Sequence, residues 1–196
     1  MPDDFGGLCV PRTRDARLEE RILAAAYELW KKAGEKALTM RAVARAARTT
    51  TPTVYQRFRD KRGILEWLRR RAQLCLYSAV ESTNSVGEFC ERYLDFAVRH
   101  PNEYELIHAD WAVRLARDES RPSFELLKRR LADRIGGAPG DHSGLALSLA
   151  ALAHGTATLL LTRGISARVS RDLRHACLTA FENLVACAPR PKKKNS

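Results

Sequence analysis

The stretch LTMRAVARAARTTTPTVYQRFRDKRGIL, residues 38–65, decides the fold. Thr39 is placed to cap a short helix running to about Ala47, in which Val43, Ala44, Ala46 and Ala47 offer a small, closely packing surface. The polar pair Arg48-Thr49 then reads as a tight turn. Thr50 caps a second short helix, and Pro52 is tolerated in its first turn because an N–H there would have no helical partner. Val54 and Phe58, four residues apart, point inward from that helix. Asp60 caps a long helix reaching about Val80, with Ile64, Leu65, Leu68 and Ala72 as its inner stripe.

Upstream, a helix is expected from about Asp15 to Ala33, its apolar face made of Leu18, Ile22, Ala25, Ala26, Leu29 and Trp30 and its end set by Gly34. Two short helices joined by a tight turn and braced by a preceding helix make a helix-turn-helix geometry. Downstream the pattern stays helical. Ser85-Val-Gly-Glu88 is a capping box opening a helix to about His100, with Phe89, Tyr93, Phe96 and Ala97 on one side, and Pro101 ends it. Helices near 102–116 and 122–135 follow, then GGAPGDHSG (136–144) as a flexible loop, then two Ala/Leu-rich helices at about 144–163 and 168–187. The fold class is therefore all-α. The expected division is a flexible N-terminus at 1–14, a helix-turn-helix domain at 15–62, a second helical domain at 63–188 and a disordered basic tail at 189–196.

Charge follows the same division. Residues 1–72 hold 17 Lys/Arg against 9 Asp/Glu, whereas residues 73–189 are nearly balanced, with 13 against 14. A basic N-terminal third on a neutral body suits a phosphate-binding module attached to a separate partner domain. On the second short helix, Val54 and Phe58 face the core, which leaves Thr51, Thr53, Tyr55, Gln56 and Arg57 to solvent. Gln and Arg can each bind a base edge in the major groove through two hydrogen bonds, and Thr and Tyr hydroxyls suit phosphate oxygens.

In order, these residues resemble the TetR-family signature: a capped helix of small residues, a turn, then Thr53, Val54, Tyr55 and Phe58 leading to Lys61 at the start of the next helix. The preceding ERILAAAYELWKKAGEKALTM (20–40) resembles that family's first helix and its glycine, and the likeness covers residues 17–66. The resemblance implies a dimeric one-component transcriptional repressor that binds a double-stranded DNA operator. It implies phosphate contacts from Thr39, Tyr55 and Lys61, and base or adjoining phosphate contacts from Thr51, Pro52, Thr53, Gln56 and Arg57. Thr50 belongs to the same candidate surface. Where the family has Gly in the turn, this chain has Arg48. Either Arg48 carries a strain of roughly 1 kcal/mol in a left-handed conformation, or the turn is remodelled and Arg48 adds a phosphate contact.

The resemblance also implies an inducer-binding site in the second domain. Polar residues inside its apolar helices, Tyr93, His108, Trp111, His154 and Thr158, are the candidate pocket residues for a small, mainly apolar inducer. The last two helices are too apolar on several faces for one chain to bury, which predicts pairing with a second copy. An activator, or a DNA-binding protein of this fold that ignores ligands, remains open.

Other classes find less support. There is no G-x-S-x-G, G-x-x-x-x-G-K-[ST] or H-E-x-x-H motif and no Gly-rich dinucleotide loop, so an enzyme is not expected. No cofactor or metal is expected either, for the five cysteines form no C-x-x-C pair and no Cys/His set has zinc spacing. The cysteines read as reduced thiols in the core. No run nears ~18 uninterrupted apolar residues, and the N-terminus does not resemble a signal peptide. No membrane association and a cytoplasmic location are the expectation.

Overall fold

The structure, a computed structural model, describes residues 14–109 and 121–189. The expected flexible N-terminus, most of the expected basic tail, Trp111 and the later part of the expected 102–116 helix lie outside them. The described residues contain helices and turns and no strand. They form two compact units that meet at Leu68–Arg69, within the fourth helix.

The first unit holds α1 (Arg14–Ala37), α2 (Met40–Ala46), α3 (Thr51–Phe58) and the start of α4 (Lys61–Glu81). Helical geometry breaks in α1 at Ala33 and Gly34, where Gly34 has φ +62, so the expected stop is present and one further turn follows it. Ile22, Leu23, Ala26 and Trp30 are the buried face of α1. Leu18, Ala25 and Leu29 are only half-buried, and Leu23 takes their place. Leu38, Met40, Val43, Ala44, Ala47, Val54 and Ile64 are also buried in this unit. Arg21 donates from Nη2 to the carbonyl of Ala47 at 3.2 Å, tying α1 to the end of α2.

The second unit holds the rest of α4, then α5 (Val86–Arg99), α6 (Pro101–His108), α7 (Pro122–Ile135), a 3-10 turn (Pro139–His142), α8 (Ser143–Leu160) and α9 (Ala167–Ala186). Helix α5 is central and packs on α6, α7, α8 and α9. Its buried residues Val86, Phe89, Cys90, Tyr93, Leu94, Phe96 and Ala97 include the whole predicted apolar side. Ser85 caps it as expected, accepting from Glu88 N, while the Glu88 carboxylate reaches back to Asn84 N. Pro101 turns the chain at His100 and then occupies the first turn of α6.

Two expectations change here. Residues 136–144 are not a plain loop: Ala138 N donates to Asp141 Oδ2 at 2.9 Å, and the buried His142 donates from Nε2 to the Gly136 carbonyl at 2.7 Å, closing the 3-10 turn. The span Pro139–Leu160 is also apolar and long enough to cross a membrane by length and composition alone, with a mean hydropathy of 1.4. Uninterrupted apolar runs do not reveal it, because Gly, Ser, Thr and His break the Ala/Leu stretches. In the fold it packs on α5, α7 and α9.

Candidate nucleic-acid interface and ligand cavity

Local hydrogen bonds set the geometry of the helix-turn-helix. Thr39 Oγ1 accepts from Ala42 N at 3.1 Å and starts α2. Thr50 Oγ1 accepts from Thr53 N at 3.4 Å and starts α3. Each capping hydroxyl uses an acceptor lone pair on the backbone. The Thr39 O–H is left to donate outward, whereas Thr50 and Thr53 share a hydroxyl–hydroxyl bond of 2.7 Å.

Between the two helices Arg48 has φ +51. The turn therefore keeps the left-handed conformation that glycine would favour and carries the strain rather than being remodelled, and the exposed side chain remains placed for a phosphate in either case. Arg48 N donates to Arg45 O at 3.2 Å and Thr49 N to Ala44 O at 2.9 Å, which close the end of α2, and the Arg48 side chain is exposed.

Helix α3 presents Pro52, Tyr55 and Gln56 to solvent, with Tyr55 50% exposed. Thr51, Thr53 and Arg57 are half-buried, and Val54 is fully buried. Phe58, expected inward, is half-buried. Lys61 opens α4, and its ammonium donates to the Glu35 carbonyl at 3.2 Å and pairs with Glu35 Oε1 at 3.0 Å. With the Lys61 side chain 38% exposed, such a pair contributes ~1 kcal/mol at most, and it holds Lys61 close to the turn after Gly34.

At the α3–α4 junction the expected Asp60 cap is present, and beside it stand a tight turn and a close backbone approach that the sequence reading missed. Arg59 has φ +56 and ψ −48, and Asp60 N donates to the Phe58 carbonyl across it, a tight γ-turn. Asp60 Oδ1 accepts from Gly63 N at 3.0 Å. A Cβ on Gly63 would lie 2.6 Å from the Phe58 carbonyl oxygen, so only glycine lets α4 begin this close to the end of α3. A glycine in the first turn of an apolar-striped helix was the available signal.

In the second unit, a narrow cavity of about 50 Å³ is lined by Leu76, Phe89, Ile107, Phe124, Leu127 and Phe181, with Gln73, Tyr93, His108, Arg121 and Ser123 among its polar members. Tyr93 and His108 thus reach it as expected. Tyr93 Oη lies 2.8 Å from His108 Nε2, and His108 Nδ1 lies 2.8 Å from the Tyr104 carbonyl. The carbonyl can only accept, so Nδ1 carries the proton, and a neutral ring then accepts the Tyr93 O–H at Nε2. Burial drives the His108 pKa down to about 4, against the opposing pull of the Tyr104 carbonyl, with His154 and Arg121 lowering it further. Burial likewise pushes the Tyr93 phenol well above its usual value. The cavity wall is therefore uncharged at this point near neutral pH.

His154 and Thr158 do not line the cavity. His154 is half-buried, stacks on His108 at 4.6 Å between ring centroids, and has its Nδ1 2.5 Å from Tyr104 Oη, which also donates to the His154 carbonyl at 3.3 Å. Thr158 is exposed and donates to the His154 carbonyl at 2.9 Å, satisfying its own helix rather than a ligand. Tyr104, the centre of this network, was not anticipated. Among the described residues no group of three or more potential metal ligands converges.

The cysteines divide. Cys75 and Cys187 are exposed, against the expectation of core thiols, while Cys90 and Cys177 are buried with their sulfurs 3.7 Å apart.

Comparison with known proteins agrees with this architecture. The family model "Bacterial regulatory proteins, tetR family" matches residues 22–68, and "Tetracyclin repressor-like, C-terminal domain" matches residues 86–186. A Streptomyces coelicolor protein assigned as a transcriptional regulator is 26% identical, with a TM-score of 0.53, over 89% of this chain and 99% of its own. A protein of unknown function from Rhodococcus sp. RHA1 shares the fold at 22% identity and a TM-score of 0.63, over 86% of this chain and 94% of its own. A TetR-like transcriptional regulator from the same source is 19% identical with a TM-score of 0.54, over 90% and 96% of the two chains. No protein of curated function gives a significant match. With family models matching both the helix-turn-helix and the helical domain that follows it in the chain, this chain belongs to the TetR family of bacterial transcriptional regulators.

Proposed function

We propose that the chain acts as a cytoplasmic homodimeric repressor on a pseudo-palindromic operator and is released by a small, mainly apolar inducer. Residues 15–62 form the DNA-binding part and residues 63–188 the inducer and dimer part. Thr39, Arg48, Thr50, Tyr55 and Lys61 hold phosphates, while Thr51, Pro52, Thr53, Gln56 and Arg57 address base edges and the phosphates beside them. The cavity beside Tyr93 and His108 takes the inducer. Bound inducer favours a dimer geometry in which the two recognition helices no longer match the half-site spacing, a population shift that needs different affinities for the two states.

The observation that carries the dimer is the outer face of α8. Gly144, Leu147, Ser148, Ala151, Gly155, Thr158 and Leu159 are exposed at helical spacing with no charge among them, and Leu159 is 52% exposed. Helix α9 buries only Cys177 and Phe181 of its twenty residues, and leaves Val169 and Leu184 more than 40% exposed. An uncharged stripe of small residues lets a second helix approach closely, and a two-fold partner supplies one. Dimerisation would also set two α3 helices on neighbouring half-sites.

Sedimentation of the full chain, alone and with operator duplex, tests this reading. The expected result is a dimer that binds as two protomers per duplex, with Gly155→Glu giving a folded monomer that has lost operator affinity. A wild-type monomer that binds its operator fully would overturn it.

A further inference from the structure

The Cys90–Cys177 contact is used neither by the proposed DNA surface nor by the inducer cavity. The two residues are 87 positions apart and come from α5 and α9, yet their sulfurs lie 3.7 Å apart. Cys90 is fully buried and Cys177 is 2% exposed. On α9, Ala176 and Thr179 near Cys177 are exposed. The two thiols differ in chemistry. The contact with Cys90, in which either sulfur can donate, and the Thr156 hydroxyl favour the Cys177 thiolate, although burial opposes them. The same contact and burial push the Cys90 thiol up. One sulfur is thus favoured as thiolate and the other retains its proton, the asymmetry of an attacking and a resolving thiol.

We propose that Cys90 and Cys177 form a reversible dithiol–disulfide site whose oxidant is a small hydroperoxide. The Cys177 thiolate attacks the terminal peroxide oxygen, an S–O bond forms as the O–O bond breaks, and the departing oxygen leaves as alcohol or water after taking a proton. The Cys90 sulfur then attacks the Cys177 sulfenic acid, and the S–S bond forms as hydroxide leaves and takes the Cys90 proton as water. The two thiols give up two electrons and the peroxide is reduced. A thiol reductant reverses the change by exchange.

Closing the sulfurs from 3.7 Å to a disulfide's length of about 2.05 Å draws α5 and α9 together. Phe89 and Tyr93 on α5 and Phe181 on α9 stand within one helical turn of the pair and line the cavity. Oxidation therefore acts on the cavity wall. That consequence rests on the regulatory role proposed above, whereas the thiol chemistry does not.

The test exposes the reduced full chain to hydrogen peroxide, alkylates remaining thiols in denaturant and maps peptides by mass. The expected product has lost two alkylatable thiols, carries a Cys90–Cys177 cross-linked peptide and reverts with dithiothreitol. The cross-link persists in a Cys75→Ala/Cys187→Ala variant and disappears in Cys90→Ala. Alkylation of Cys90 and Cys177 under conditions that oxidise Cys75 and Cys187 would overturn the proposal. The wild-type map decides even if Cys90→Ala fails to fold. For the cavity, cross-linked protein is expected to shift at least threefold in affinity for the fluorescent probe 1-anilinonaphthalene-8-sulfonate. Unchanged probe affinity in fully cross-linked protein would remove the coupling and leave the redox site standing.

Discussion

Arg48 offers a perturbation in which backbone and side chain are separable. Its φ of +51 places an L-residue where glycine is favoured, at a cost of about 1–2 kcal/mol. Arg48→Ala removes the exposed guanidinium and keeps the strained backbone. Arg48→Gly removes the guanidinium and relieves the strain, but adds unfolded-state freedom worth about 0.4–1 kcal/mol. The difference leaves Arg48→Gly more stable than Arg48→Ala by about 0.5–1 kcal/mol. Urea unfolding at equal protein concentration reads this as a higher midpoint at unchanged m-value. If the guanidinium also contacts a phosphate, both variants bind operator more weakly by the same factor, and both lower the slope of log affinity against log salt by about 0.9. Arg48→Gly less stable than Arg48→Ala would refute the positive φ. An affinity loss confined to the glycine variant would refute the phosphate contact, since it would reflect a changed turn.

Three further outcomes are expected. Tyr55→Phe and Arg57→Ala leave urea stability within about 0.5 kcal/mol, yet weaken operator binding, the first about fivefold and the second about tenfold or more; unchanged affinity for both would discard the placement of α3 on DNA. Gly63→Ala places a Cβ 2.6 Å from the Phe58 carbonyl oxygen, and after the gain in helix propensity it costs about 1–2 kcal/mol of stability together with operator affinity, checked by urea unfolding and anisotropy. His108 has a folded pKa depressed to about 4 from the ordinary 6.5, so its contribution is complete above pH 6.5 and is lost as pH falls through 4. That loss amounts to about 3 kcal/mol, and urea unfolding at pH 7 and pH 4.5 should show a smaller pH dependence in His108→Gln, whereas an equal dependence in both proteins would place the acid sensitivity elsewhere.

How much of this was readable in advance depends on the range of the interaction. The caps at Thr39, Thr50, Asp60 and Ser85 are local, because a side-chain oxygen and an N–H three residues on decide them, and each appears where the sequence places it. The stop at Gly34 is equally local. The left-handed turn at Arg48 was visible only as one of two alternatives, since nothing in an arginine announces positive φ. Contacts between helices distant in sequence were not legible. His154 looked like a pocket residue, but Tyr104, fifty positions earlier, binds its ring and leaves it outside the cavity. Cys90 and Cys177 show no motif spacing because α5 and α9 are brought together only by packing. Gly63 required knowing how closely α4 starts against the last carbonyl of α3.

The central claim is that α3 reads a particular DNA sequence. Fluorescence-anisotropy titration of the full chain, with the duplex flanking its own gene and a scrambled duplex of equal length, at several salt concentrations, tests it most directly. The account predicts a preference of ~10³ or more for one natural segment, reduced about tenfold or more in Arg57→Ala. Equal, weak binding to both duplexes that falls steeply with salt would contradict it, leaving only the attraction of a basic domain for phosphate.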